Sequence, residues 1–203
     1  MAKTEFDVQV STHGLGYNKP QKMGNRLWLP MFAMAIMAFP TAFILAIARA
    51  SIVSDFGVED EGAQKLLHWV PAIMFIGFLA VFAAISFAVA RILGRFRKGG
   101  GDIQESTGGT VKTLKMPVTA KIFLVSMMMG MMIMLISVIF HFAAIGSLSD
   151  WNPGDAERWA RVLDGTRRLG VAIYLFGITF GLGTIIHVLR FQSIRIRELP
   201  DTA

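Results

Sequence analysis

The chain contains no cysteine among its 203 residues. This absence excludes disulfides, thiolate metal sites, iron–sulfur ligation, thioether-linked haem and cysteine nucleophiles. Charged residues are also scarce, at 17% of the sequence against about 25% in an ordinary soluble domain. The scarcity is uneven, because charges are almost absent from four long apolar stretches and crowded between them. This distribution is typical of a membrane protein that crosses the bilayer several times.

None of the four apolar stretches carries Asp, Glu or Lys near its middle. Ionisable residues inside a membrane span are the usual mark of proton and ion pathways, so their absence argues against a pump, an antiporter or a charged pore. Neither the acidic loop after the first stretch nor the methionine run 127–132 has the ligand spacing of a metal site. No catalytic or metal-ligating residues are therefore assigned, and a non-catalytic protein is expected.

The apolar stretches predict two helical hairpins joined by a basic, glycine-rich connector. Each hairpin contains two runs long enough to cross about 30 Å of hydrocarbon at about 1.5 Å per residue. The predicted fold class is all-α, an integral membrane bundle of four transmembrane helices. In chain order the segments are a tail at 1–26, a hairpin at 27–98, the connector at 99–120, a hairpin at 121–190 and a tail at 191–203.

Lysine and arginine are concentrated in the two tails and around the connector, whereas most of the acids lie in the loops inside the hairpins. By the positive-inside rule, both termini and the connector are predicted to be cytoplasmic, in a multi-pass protein of the cell membrane. The net charge of +6 does not indicate a nucleic-acid partner, because the basic residues lie beside membrane spans rather than on a basic face.

The two hairpins resemble each other. Each has a span followed by Ser-Asp-aromatic, at 54–56 and 149–151, then an acidic loop, a second span and a basic exit. The chain is therefore either a tandem duplication of one hairpin or two unrelated hairpins that share the charge layout of any in–out–in pair.

Histidine supplies the candidate cofactor ligands. On the predicted topology His68 and His141 lie toward the outer face on neighbouring spans, and His187 lies toward the inner face. Two imidazoles from adjacent helices at similar depth ligate haem b in four-helix membrane cytochromes. The alternative is that these histidines form interfacial or interhelical hydrogen bonds. His68 lies near the predicted start of its span, beside Trp69 and just after Lys65, which are residue types of the membrane interface, whereas His141 lies roughly 10 Å from the end of its span. We therefore predict that the two rings are too far apart to share one iron and that no closed pocket lies between them.

The fourth span contains a small-residue motif, with Gly177 and Gly181 separated by three residues. Such a G-x-x-x-G element allows two helices to approach closely, so the pair is predicted to serve helix packing within the protein or against a partner.

The predicted function is that of a small polytopic membrane protein, a non-catalytic accessory or anchoring subunit of a larger membrane complex. Its expected partners are the lipid bilayer and either other membrane-protein subunits or a second copy of the chain. The first alternative is a haem b-binding membrane anchor that passes electrons between quinone and a partner enzyme. The second alternative is a small-solute permease.

Overall fold

The structure, a computed structural model, describes residues 6–10, 15–108, 110–147 and 153–197. Each of the four helices within these ranges is long and apolar enough to cross a membrane, so the prediction of an all-helical chain with four such helices is confirmed. The second copy of the Ser-Asp-aromatic motif, at 149–151, lies outside the described residues. The helices are α1 (Lys19–Phe56), α2 (Glu61–Ser106), α3 (Val118–Ser147) and α4 (Pro153–Arg197).

Two short strands accompany the helices. β1 (Val8–Val10) and β2 (Lys112–Leu114) pair antiparallel, with Gln9 opposite Thr113. The hydroxyl of Thr113 also donates to the carbonyl of Gln9 at 3.0 Å. The strand pair therefore ties the chain before α1 to the segment between α2 and α3.

The helices extend well beyond the apolar stretches. α2 has 46 residues and α4 has 45, whereas about 20 suffice to cross the hydrocarbon. Hydropathy detects only the apolar part of a helix, but adding turns to a helix that is already nucleated costs little. α2 therefore continues through the glycines at 99–101 and ends at Ser106, just before Gly108 adopts a positive φ of 70°.

The chain divides into two compact units, and each contains segments of all four helices. Unit 1 consists of Met1–Trp28, Ile85–Val125 and Phe176–Ala203. Unit 2 consists of Leu29–Ala84 and Ser126–Leu175. The strand pair belongs to unit 1, whereas His68 and His141 belong to unit 2.

Buried residues on α3 and α4 recur mostly at alternating intervals of three and four, which places them in one stripe along each of these helices. α2 buries a residue at every seventh position from His68 to Val89. The stripes explain why certain polar residues, including both histidines and Arg195, lie inside the protein. On α3 the stripe is Ala120, Phe123, Met127, Gly130, Met134, Ser137, His141 and Ala144. On α4 it includes Gly170, Tyr174, Gly177, Gly181, Thr184, Phe191 and Arg195.

Candidate functional site

Within unit 2, α2 and α3 bring two histidines together. The ring centroids of His68 and His141 lie 5.7 Å apart, with the planes inclined by 54°. His68 is 0% exposed and His141 is 2% exposed. The residues that follow them, Trp69 and Phe142, also meet edge to face, with centroids 5.2 Å apart. Two adjacent ring pairs therefore define the contact between α2 and α3 at this level.

The two histidines lie at matching depths because of where their helices begin and end. Asp60 caps the start of α2, where its carboxylate accepts a hydrogen bond from the Ala63 N–H at 3.1 Å. His68 follows the first residue of α2 by seven positions, and His141 precedes the last residue of α3 by six. At about 1.5 Å per residue, each ring lies roughly 10 Å inside its helix.

The two rings lie closer together than predicted, so the distance part of the prediction is wrong. The expectation that no closed pocket lies between them stays a prediction. The predicted distance relied on Trp69 and Lys65, whose types are typical of an interface. Consecutive residues of a helix point about 100° apart, so a neighbour in sequence says little about the direction of a side chain. Trp69 is 37% exposed although His68 beside it is fully buried. The seven-residue spacing of His68, Phe75 and Phe82 was the sequence signal that places His68 on the buried stripe.

Short side chains flank both imidazoles on their own helices. Ala72 lies one turn after His68, and Ser137 and Ala144 lie one turn before and after His141. All three are buried, with at most 2% exposure. The Ser137 hydroxyl is occupied elsewhere, because it donates to the carbonyl of Ile133 at 2.8 Å. Small side chains therefore lie one turn after His68 and one turn on either side of His141.

His141 has ring nitrogens available for a ligand. Neither of them has a hydrogen-bond partner among the described residues. A buried polar group left unpaired costs about 1–3 kcal/mol. The apolar ring of Phe75 lies beside His141, with the two ring centroids 5.2 Å apart.

The number and type of protein side chains that could ligate a metal indicate which kind of metal centre could form here. Among the described residues, no group of three or more His, Cys, Asp or Glu side chains is placed to hold a metal ion. A zinc or copper site takes three or four protein ligands, whereas haem iron takes four ligands from its macrocycle and only its axial ligands from the protein.

The separation of the rings also agrees with haem ligation. An iron–imidazole bond of about 2 Å on each side of the metal puts the two ring centres roughly 6 Å apart. The observed 5.7 Å is close to this value. The distance between the two buried rings is therefore compatible with both imidazoles binding one haem iron.

The other sequence-predicted residues lie in unit 1. His187 contacts the ring of Phe6, with centroids 4.9 Å apart. Gly177 and Gly181 are both buried. A Cβ at Gly181 would lie 2.9 Å from the ring of Phe123 on α3, so the helix backbone approaches this side chain closely. The effect of the two glycines on assembly stays a prediction.

Of the three histidines in the spans, the structure thus brings two together. Comparisons of the chain with protein-family models, with curated proteins and with solved structures find no match. The buried pair of His68 and His141 is the feature of the molecule from which a function can be inferred.

Proposed function

We propose that this protein is a membrane anchor subunit that holds one haem b between His68 and His141 and passes electrons between quinone and a partner enzyme. The observation that carries the proposal is the 5.7 Å separation of two buried imidazole rings on neighbouring helices. His68 and His141 would both hold the iron through their imidazole rings. When bound, the group supplies one-electron redox chemistry.

The chain's own residues favour electron transfer over catalysis at the haem. His68 and His141 would be the two protein ligands of the iron, which would leave no position open for oxygen or a substrate. The burial of both rings would also keep water away from the iron, and the apolar ring of Phe75 lies beside His141. This arrangement suits a non-catalytic subunit that relays electrons within a larger membrane complex.

The membrane topology is part of the proposal. We infer that the four helices cross the bilayer as a bundle, with both termini and the connector 99–120 in the cytoplasm. The apolar character of all four helices and the concentration of Lys and Arg in the tails and around the connector support this inference. His68 and His141 would then lie toward the outer face, roughly 10 Å inside their helices.

The decisive experiment is a reduced-minus-oxidised visible spectrum of the full chain, purified in detergent after expression with an ample haem supply. We expect a b-type spectrum and one haem per chain. His68→Ala and His141→Ala should each lose most of the bound haem. His187→Ala is the matched control, because it also removes a histidine from a span, and it should retain the spectrum.

Two outcomes would contradict the proposal. A haem-free protein would remove the cofactor, provided that gel filtration shows the purified chain to be folded and monodisperse. Full haem content in both the His68 and His141 variants would show that the ligands lie elsewhere.

A further inference from the structure

Unit 1 contains a buried arginine that joins α2 to α4. Arg195 is 3% exposed. Its Nη2 donates to the side-chain oxygen of Gln104 at 2.6 Å, and its Nη1 donates to that of Gln192 at 3.3 Å. The guanidinium also lies over the ring of Phe191, 5.4 Å from the ring centre. The side chain is therefore held in place by three neighbours on two helices.

All three of these neighbours are uncharged. Among the described residues, the side-chain ion pairs join Lys65 to Glu61, Lys115 to Asp7, and Arg167 and Arg168 to Asp164, so Arg195 has no carboxylate partner there. The oxygen of Gln104 is shared, because it also accepts a hydrogen bond from the backbone N–H of Lys112 at 3.0 Å. A buried charge without a counter-charge is strongly unfavourable. The position of Arg195 therefore suits an anionic ligand.

Some N–H groups of the Arg195 guanidinium remain available to a ligand. It carries five N–H groups, and the two glutamines use two of them. Its Nε has no hydrogen-bond partner among the described residues. The backbone of α2 also makes room for the group, because a Cβ at Gly100 would collide with Nη1 of Arg195 and with the Gln192 oxygen. Arg195 is therefore held in a fixed position by its neighbours, and its Nε–H remains available to donate a hydrogen bond to a ligand.

Arg195 lines a cavity of about 440 Å³ within unit 1. This volume falls within the range of about 300–1,000 Å³ that is usual for ligand sites. Two further cations, Arg97 and Lys115, line the cavity, and none of the described residues that line it is acidic, although Lys115 is paired with Asp7. Much of the remaining wall is apolar, with Leu93 and Phe123 among the residues that form it. A ligand with an anionic group and an apolar body matches this lining.

We propose that this cavity binds a phosphate group on Arg195, and that the phosphate belongs to a phospholipid whose apolar part lies against residues such as Leu93 and Phe123. The guanidinium fork matches phosphate oxygens in pairs, which makes arginine the preferred residue for such recognition. Basic pockets among transmembrane helices are suited to anionic lipid headgroups. The site is separate from the histidine pair and does not depend on haem binding.

The test uses the full chain, purified and stripped of lipid in detergent, with thermal unfolding as the readout. Short-chain phosphatidylglycerol should raise Tm in a saturable manner, because a ligand that binds only the folded state stabilises it. Diacylglycerol with the same acyl chains lacks the phosphate and should leave Tm unchanged. Inorganic phosphate distinguishes the source: protection by phosphate alone, equal to that by the lipid, would keep the phosphate site but overturn the lipid.

Variants then locate the site. Arg195→Met should weaken phosphatidylglycerol binding about tenfold or more, because it removes a charge-assisted fork. Without lipid, the same variant should unfold at an equal or higher temperature, since an uncompensated buried charge has been replaced by an apolar side chain. Arg197→Met is the matched control, because this exposed arginine belongs to the same basic segment, and its binding should change less than about twofold.

A second variant covers the case in which Arg195→Met does not fold. Arg97→Met removes a partly exposed cation from the same cavity and should weaken binding about threefold. Wild-type affinity in Arg195→Met, or in Arg97→Met when the first variant fails to fold, would overturn the proposal. Equal protection by diacylglycerol would overturn it as well.

Discussion

The ring of Tyr174 on α4 lies flat against the ring of Phe82 on α2, with centroids 3.9 Å apart and planes only 11° apart. Gly130 on α3 completes the contact, since a Cβ there would lie 3.0 Å from the Tyr174 ring. Tyr174 is 0% exposed, and its hydroxyl has no hydrogen-bond partner among the described residues. Three helices of unit 2 therefore meet at the Tyr174 ring. The unpaired hydroxyl of this residue contributes little to stability.

This contact predicts opposite effects for two substitutions of Tyr174. Tyr174→Phe keeps the stacked ring and removes an unpaired hydroxyl, so the free energy of unfolding should stay the same or rise by up to about 1 kcal/mol. Tyr174→Ala should lower it by about 3–5 kcal/mol, because it leaves a cavity among three helices. Chemical denaturation in detergent measures both. A loss of more than about 1 kcal/mol in Tyr174→Phe would reveal a hydrogen-bond partner for the hydroxyl.

The glycine seam of α4 offers a matched pair of substitutions. Gly181→Leu should disrupt packing, because the added side chain meets the Phe123 ring at once. Gly183→Leu has no atom within 4 Å of the new Cβ and should be tolerated. We expect Gly181→Leu, and the double variant with Gly177→Leu, to lower Tm and weaken detergent-resistant assembly. Equal behaviour of the Gly181 and Gly183 variants would show that the close approach does not matter.

Membrane orientation can be measured directly with topology reporters. A reporter fused near Gly100 should read cytoplasmic, and one near Asp60 should read external, because the basic segments favour the inner side. Reporters at both positions should be read in the same strain, so that expression level serves as an internal control. An external signal at Gly100 would reverse the proposed orientation and move the histidine pair to the inner side.

Exchange of an axial ligand tests the haem proposal without relying on haem loss. His141→Met replaces an imidazole by a thioether, and mixed Met/His ligation raises the reduction potential of haem iron. We therefore expect bound haem with a more positive midpoint potential in a potentiometric titration. His187→Met introduces the same side chain in unit 1 and should leave the potential unchanged. An unshifted potential in His141→Met would exclude His141 as a ligand.

Much of the helical architecture could be predicted from the sequence, because long apolar runs without charge have few alternatives to a membrane-crossing helix. The extent of the helices could not. The sequence predicts that the connector begins at Gly99, in a glycine-rich segment, and glycine is a poor helix former. In the structure the glycines at 99–101 are helical, and the tertiary reason lies far away in the chain, because the space at Gly100 and Gly101 is filled by Arg195 and Leu15.

The site could be predicted in part. His68 and His141 were identifiable by type and by their position toward the same ends of neighbouring spans, but the sequence made His68 too shallow, because α2 begins earlier than predicted, at Glu61. Whether the two rings come together depends on the direction in which each side chain leaves its helix. Neighbouring residues in the sequence do not show that direction. Arg195 was harder to recognise, because an arginine beyond the end of an apolar stretch is normally solvated at the interface. Only its place in the stripe after Thr184 and Phe191 indicates burial.

Gly100 on α2 and Arg195 on α4 are in close contact, so the effect of a substitution at one position depends on the residue at the other. Any side chain at position 100 enters the volume that the guanidinium now fills, so Gly100→Ala alone should be harmful. Once Arg195 is shortened to Ala, only the Gln192 oxygen must still shift, so the same alanine at position 100 should be better tolerated. The two sites should therefore be strongly non-additive, with a large coupling energy in a double-mutant cycle. A change at either position would constrain which residues the other can accept.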